Sequence, residues 1–103
     1  MTALPGQRFD PLSEPVRITL KIINEKGLHA RASAKLAETV EQFDAEATVS
    51  KDGMEATGDS IMGLLMLGAS RGTSVDVAIT GPEAQPLAEA LQALVADYFG
   101  EGM

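Results

Sequence analysis

The chain contains no cysteine and no tryptophan, and it holds a single histidine. The lack of cysteine excludes a disulfide scaffold and a thiolate metal site. One histidine is a poor ligand set for zinc, so a metal-dependent hydrolase is the most distant reading and no metal is expected. Asp52, Glu55 and Asp59 are too loosely arranged for a metal loop and read as solvated turn residues. Cations are scarce: eight Lys and Arg stand against 15 Asp and Glu, giving a net charge of -7. No broad basic face can be assembled from so few, which argues against a nucleic-acid partner. No stretch approaches the ~20 unbroken apolar residues of a spanning helix. The first fifteen residues also lack the basic-then-apolar layout of a secretory signal, so the expectation is a cytoplasmic protein without membrane insertion. At 103 residues and 45% hydrophobic content the chain suits one domain with one modest core.

What is present is concentrated at Gly27-Leu28-His29-Ala30-Arg31. This segment joins an extended stretch to an amphipathic helix. The residue before a helix is normally Ser, Thr, Asp or Asn, whose side chain accepts from the free N–H groups of the first turn. His29 and Ala30 are poor caps. The helix therefore begins with unclaimed donors and the positive end of its dipole directed outward, an arrangement suited to an anion. Lys26, Arg31 and Lys35 surround His29 in sequence, and no Asp or Glu occurs from Lys26 through Ala37. A helix N-terminus and Arg31 both disfavour an imidazolium, so the ring is expected to be neutral and nucleophilic near neutral pH. A cation in the first turn opposes the dipole by roughly 0.3–1 kcal/mol, which a bound anion explains better than stability does.

Residues 1–15 carry Pro5, Gly6 and Pro11 without periodicity and read as a flexible extension; residues 16–103 read as a single domain. Val16 to Ile22 alternates as a strand with one buried face, and Asn24 to Gly27 turns the chain. A helix is predicted from Ala30 to Phe43, with Leu36, Val40 and Phe43 on its buried stripe. Ala45, Ala47 and Val49 mark a second strand. Asp52-Gly53 signals a hairpin, with Met54 to Thr57 as the returning strand. Asp59-Ser60 caps a short helix, Ile61 to Leu67, that Gly68 ends. Val75, Val77 and Ile79 form a fourth strand before Gly81-Pro82. The last helix places Leu87, Leu91, Leu94 and Tyr98 on one stripe, with Pro86 tolerable in its first turn. Four strands with one apolar face each predict a mainly antiparallel sheet covered on one side by helices.

The short helix is apolar all round, and on one face of a single sheet it cannot bury its whole circumference. Ile61, Met62 and Leu65 are the candidates for an exposed docking patch beside His29, with Leu64 and Leu67 facing the core. Methionine suits a surface that must fit several partners.

Gly27-Leu28-His29-Ala30-Arg31 and Ser60-Ile61-Met62-Gly63-Leu64-Leu65-Met66-Leu67-Gly68-Ala69 resemble the two signatures of the HPr family, the histidine-containing phosphocarriers of the bacterial phosphoenolpyruvate-dependent phosphotransferase system. The resemblance covers roughly Val16 to Glu101 and includes the Phe99-Gly100-Glu101 ending. It implies an α+β fold: an open-faced β-sandwich of four antiparallel strands with three helices on one face. It implies that His29 accepts a phosphoryl group at Nδ1 from enzyme I and passes it to an EIIA-type acceptor, in a sugar or nitrogen-type branch. Arg31 matches the arginine that contacts the phosphoryl oxygens, which the N–H groups of Ala30 and Arg31 would also take up. Ser60 matches the serine that a dedicated HPr kinase/phosphorylase modifies in some branches. The resemblance calls for no cofactor, for a monomer, and for a carrier rather than a stand-alone turnover enzyme. The family motif usually has proline after the arginine, whereas this chain has Ala32 and then Ser33; alanine is a good helix former, so the helix is expected to form. The rival reading is a non-catalytic regulatory interaction module of the same fold, controlled through Ser60. Such a module would survive replacement of His29.

Overall fold

Alternation of apolar and polar residues builds a sheet with one dry face. In the computed structural model, which describes residues 14–102, β1 (Val16–Lys21) turns Val16, Ile18 and Leu20 inward and Arg17, Thr19 and Lys21 outward. The extension expected over residues 1–15 lies almost wholly outside the described residues. β2 (Glu46–Lys51) buries Ala47 and Val49. Asp52 and Gly53 both take positive φ, 52° and 82°, as a tight two-residue hairpin requires, and β3 (Met54–Thr57) returns with Lys51 opposite Met54. β4 (Ser74–Thr80) buries Val75, Val77 and Ile79. The sheet runs β1-β4-β2-β3 with every pairing antiparallel, and Val77 lies opposite both Ile18 and Val49.

Three helices cover the apolar face. α1 (Ala30–Glu41) contributes Leu36 and Val40, α2 (Ile61–Met66) contributes Leu64, and α3 (Ala84–Ala96) contributes Leu87 and Leu91, all in one buried cluster with the strand residues. Ala32, where the family usually has proline, is buried inside the first turn of α1. The opposite sheet face is open, and there Thr19 Oγ1 donates to Asp76 Oδ1 at 2.9 Å. The open-faced sandwich expected from the sequence is therefore the fold.

Helix ends depart from expectation in three places. α1 stops at Glu41, two residues before Phe43, which packs half-buried against the core. Leu67 is the C-cap of α2 rather than its last helical residue, yet it stays buried, and Gly68 at φ +65° leaves the helix as predicted. The third departure matters most. Tyr98 does not continue the stripe of α3: the helix ends at Ala96, and Tyr98 and Phe99 adopt left-handed φ of 56° and 54° in a closing 3₁₀ turn. That reversal exposes Tyr98 and sends Phe99 fully into the core. Left-handed backbone at two consecutive bulky residues costs of order 1–3 kcal/mol each, and burial of the Phe99 ring offsets part of it.

Candidate functional site at the start of the first helix

The turn before α1 is built around Asn24. Its side chain is buried, and Nδ2 donates to the Gly27 carbonyl at 2.8 Å. Gly27 sits at φ +66°, and a Cβ there would lie 2.6 Å from the Ala69 carbonyl oxygen, so no other residue fits without moving backbone. The next residue, Leu28, donates its N–H to that same oxygen at 2.8 Å. The segment following α2 is thereby fastened to the segment entering α1.

These contacts deliver His29 as the N-cap of α1 in extended conformation (φ -77°, ψ -174°). Its carbonyl accepts from Ser33 N–H at 2.8 Å, beginning the helix ladder, while its side chain makes no capping bond and the first turn contains no acid. The first turn is thus without a side-chain cap, as inferred from the sequence. Ser33 is satisfied locally, its hydroxyl donating to the Leu28 carbonyl at 3.1 Å.

The imidazole is engaged from the far end of the chain. His29 Nε2 hydrogen-bonds Glu101 Oε2 across 72 residues, and Glu101 Oε1 accepts from Asn24 Nδ2 at 3.0 Å. The His29 side chain retains 27% of its accessibility and the Glu101 side chain 11%. Burial alone would raise the Glu101 carboxyl. The hydrogen bonds from Asn24 and His29, with the nearby positive charge of Arg31, outweigh it and hold the group below its ordinary range. Glu25, Lys26, His29, Arg31 and Glu101 together line a depression of about 140 Å³. A larger hollow of about 470 Å³ lies over the open sheet face, lined in part by Arg17, Thr19, Ser50 and Asp76, but it lacks the histidine and the helix terminus.

Two expectations are corrected here. Lys35 does not line this depression; its ammonium donates to the Phe99 carbonyl at 2.8 Å and pins the C-terminal turn to α1. Nor is the surround free of acid, since Glu25 and Glu101 share the depression with Lys26 and Arg31. The sequence signal for Glu101 was its place in the Phe99-Gly100-Glu101 ending, which the local charge pattern around His29 does not include.

The second motif is placed as expected at its start. Ser60 Oγ accepts from Gly63 N–H at 3.0 Å and caps α2. Leu64 and Leu67 face the core, Ile61 and Met62 are exposed, and Leu65 is half-buried rather than open. Met66, which the sequence reading omitted, is 67% exposed, close to the 70% of Met62. Its spacing of four from Met62 puts both on one helix face.

The family comparison decides what this arrangement belongs to. The family model described as "PTS HPr component phosphorylation site" matches residues 16–97. The chain belongs to the HPr family. It is 44% identical over 84 residues to the phosphocarrier protein HPr of Neisseria meningitidis, covering 82% of this chain and 94% of that one. HPr of Cupriavidus necator is 46% identical over 81 residues, covering 79% and 91%. The phosphocarrier protein NPr of Escherichia coli is 42% identical over 82 residues, covering 79% and 88%. Among solved structures, HPr-C-His from Thermoanaerobacter tengcongensis superposes with a TM-score of 0.81 at 34% identity, covering 85% of this chain and 99% of that one. As an HPr-family member the protein serves as a phosphocarrier of the phosphotransferase system. No helix among the described residues is long and apolar enough to cross a membrane.

Proposed function

We propose that His29 accepts a phosphoryl group from phospho-enzyme I and passes it to an EIIA-type protein of a sugar or nitrogen-type branch. The observation that carries this reading is the start of α1: a histidine stands where a cap belongs, makes no capping bond, and shares its depression with Arg31 and Lys26. Phosphoryl transfer passes through a loose transition state, so positioning and charge stabilisation do most of the catalysis. The free ring nitrogen forms its bond to phosphorus as the donor's bond breaks, and that bond's electron pair stays with the donor. The N–H groups of Ala30 and Arg31 and the Arg31 guanidinium take up the phosphoryl oxygens. Transfer onward repeats the step with His29 as leaving group, in the cytoplasm where these partners work, and the carrier acts as a monomer without a cofactor.

Ile61, Met62 and Leu65 form the docking surface in this reading, and Met66 extends it. A phosphate on Ser60, placed by an HPr kinase/phosphorylase, would favour the helix dipole but set charge beside Asp59 and the exposed methionines. It would impair docking more than folding. The test is intact-mass analysis after incubation with enzyme I and phosphoenolpyruvate. Wild type gains one acid-labile phosphoryl group and His29→Ala gains none; a wild type that stays unmodified with an active donor rejects the reading.

A further inference from the structure

The carboxylate at this site is held by a network that leaves it one hydrogen-bonding role. Asn24 is buried, and two acceptors face its amide nitrogen: the Gly27 carbonyl at 2.8 Å and Glu101 Oε1 at 3.0 Å. Both amide hydrogens are thus committed, while Asn24 Oδ1 has no partner among the described residues. The backbone delivering Glu101 is fixed by the buried Phe99 ring and by Lys35, which donates to the Phe99 carbonyl. An ionised carboxylate can only accept, and a neutral imidazole carries its hydrogen on one nitrogen and its lone pair on the other. With Oε2 of Glu101 against Nε2, the hydrogen belongs on Nε2 and the lone pair on Nδ1.

We propose that Glu101 is the positioning residue of the phosphoryl acceptor: aligned by Asn24, its carboxylate takes the hydrogen of His29 Nε2 and keeps the lone pair on Nδ1, the nitrogen that meets the incoming phosphorus. The inference rests on the reading of His29 as the acceptor. It assigns the C-terminal turn a task in the reaction, since the left-handed residues Tyr98 and Phe99 are what turn Glu101 back over the ring. It also serves both states of the carrier. Once Nδ1 carries the phosphoryl group, the remaining ring hydrogen is on Nε2, where the carboxylate already accepts it.

The decisive variant is Glu101→Gln, which has nearly the same shape but one acceptor and one donor in place of two acceptors. Its oxygen must face the Asn24 amide, so its NH₂ faces Nε2, which then has to accept. The ring hydrogen moves to Nδ1 and the nucleophile is blocked. Glu101→Ala leaves the ring free to choose either tautomer in water, so it is the milder change. Nitrogen-15 spectra of the ring in alkaline buffer are expected to show Nε2–H in wild type and Nδ1–H in Glu101→Gln. Phosphorylation by enzyme I should slow on the order of ten- to a hundredfold in Glu101→Gln and less in Glu101→Ala. A role confined to holding the C-terminal turn gives the opposite ranking, with the isosteric glutamine the milder variant. That ranking, or a wild-type ring with its hydrogen on Nδ1, overturns the proposal. The spectra need no donor enzyme. A wild type that takes up no phosphoryl group therefore sinks the acceptor reading, while the tautomer still tests the clamp separately.

Discussion

α1 and α2 both begin on an extended residue, yet their first turns are finished differently. At α2 a serine hydroxyl accepts from Gly63 N–H, as capping chemistry prefers. At α1, twice as long at 12 residues against 6, the equivalent position holds His29 and makes no capping bond. The shorter helix, with less of its own hydrogen bonding to rely on, receives the cap. The longer one, secured by Leu36, Val40 and the buried Ala32, goes without. Stability forgone at one terminus is how a fold keeps backbone donors and a positive dipole end available for an anion.

Four substitutions or conditions sharpen that contrast, beginning with the largest effect. His29→Ala should abolish phosphoryl acceptance, and what stability it costs should come from the lost Glu101 contact and not from a cap, so the cost should vanish in a Glu101→Ala background; acceptance assays paired with urea titrations check both halves. Arg31→Ala should slow phosphorylation roughly a hundredfold, the scale seen when one charge-stabilising donor is removed, and single-turnover transfer from enzyme I measures it. Ser60→Ala should cost about 1 kcal/mol through the lost cap, lowering the melting temperature by about 4–8 °C for a domain of this size. It should leave the chemistry at His29 intact. The smallest effect concerns acid. The Glu101 carboxyl is held below its ordinary 4.5 by its partners despite burial, so the stability it adds is complete above that pH and is lost as pH falls through the lowered folded value. The stability difference between wild type and Glu101→Ala should therefore be flat above pH 4.5 and narrow below it, as thermal melts through an acid series would show.

Much of this was legible in the chain because it is local. Alternation in Val16–Lys21 and Ser74–Thr80, the Asp52-Gly53 turn and the Ser60 cap each depend on neighbours within a few residues. The uncapped start of α1 at His29 was legible for the same reason: a missing cap is visible in sequence. The contact of Lys35 was not legible because its partner, the Phe99 carbonyl, lies 64 residues away. Glu101 reaches His29 only because Tyr98 and Phe99 leave the helical region, and helical periodicity offers no warning of that. The same reversal undid the stripe that placed Tyr98 in the core and put Phe99 there instead. Local pattern marked His29, whereas its carboxylate partner Glu101 came from tertiary structure alone.

The most direct measurement is phosphorus-31 NMR of the chain after incubation with enzyme I and phosphoenolpyruvate. The account predicts one acid-labile signal with the shift of phosphohistidine bonded through Nδ1, absent in His29→Ala. A signal from phosphorus on Nε2, or one that persists without His29, would contradict it.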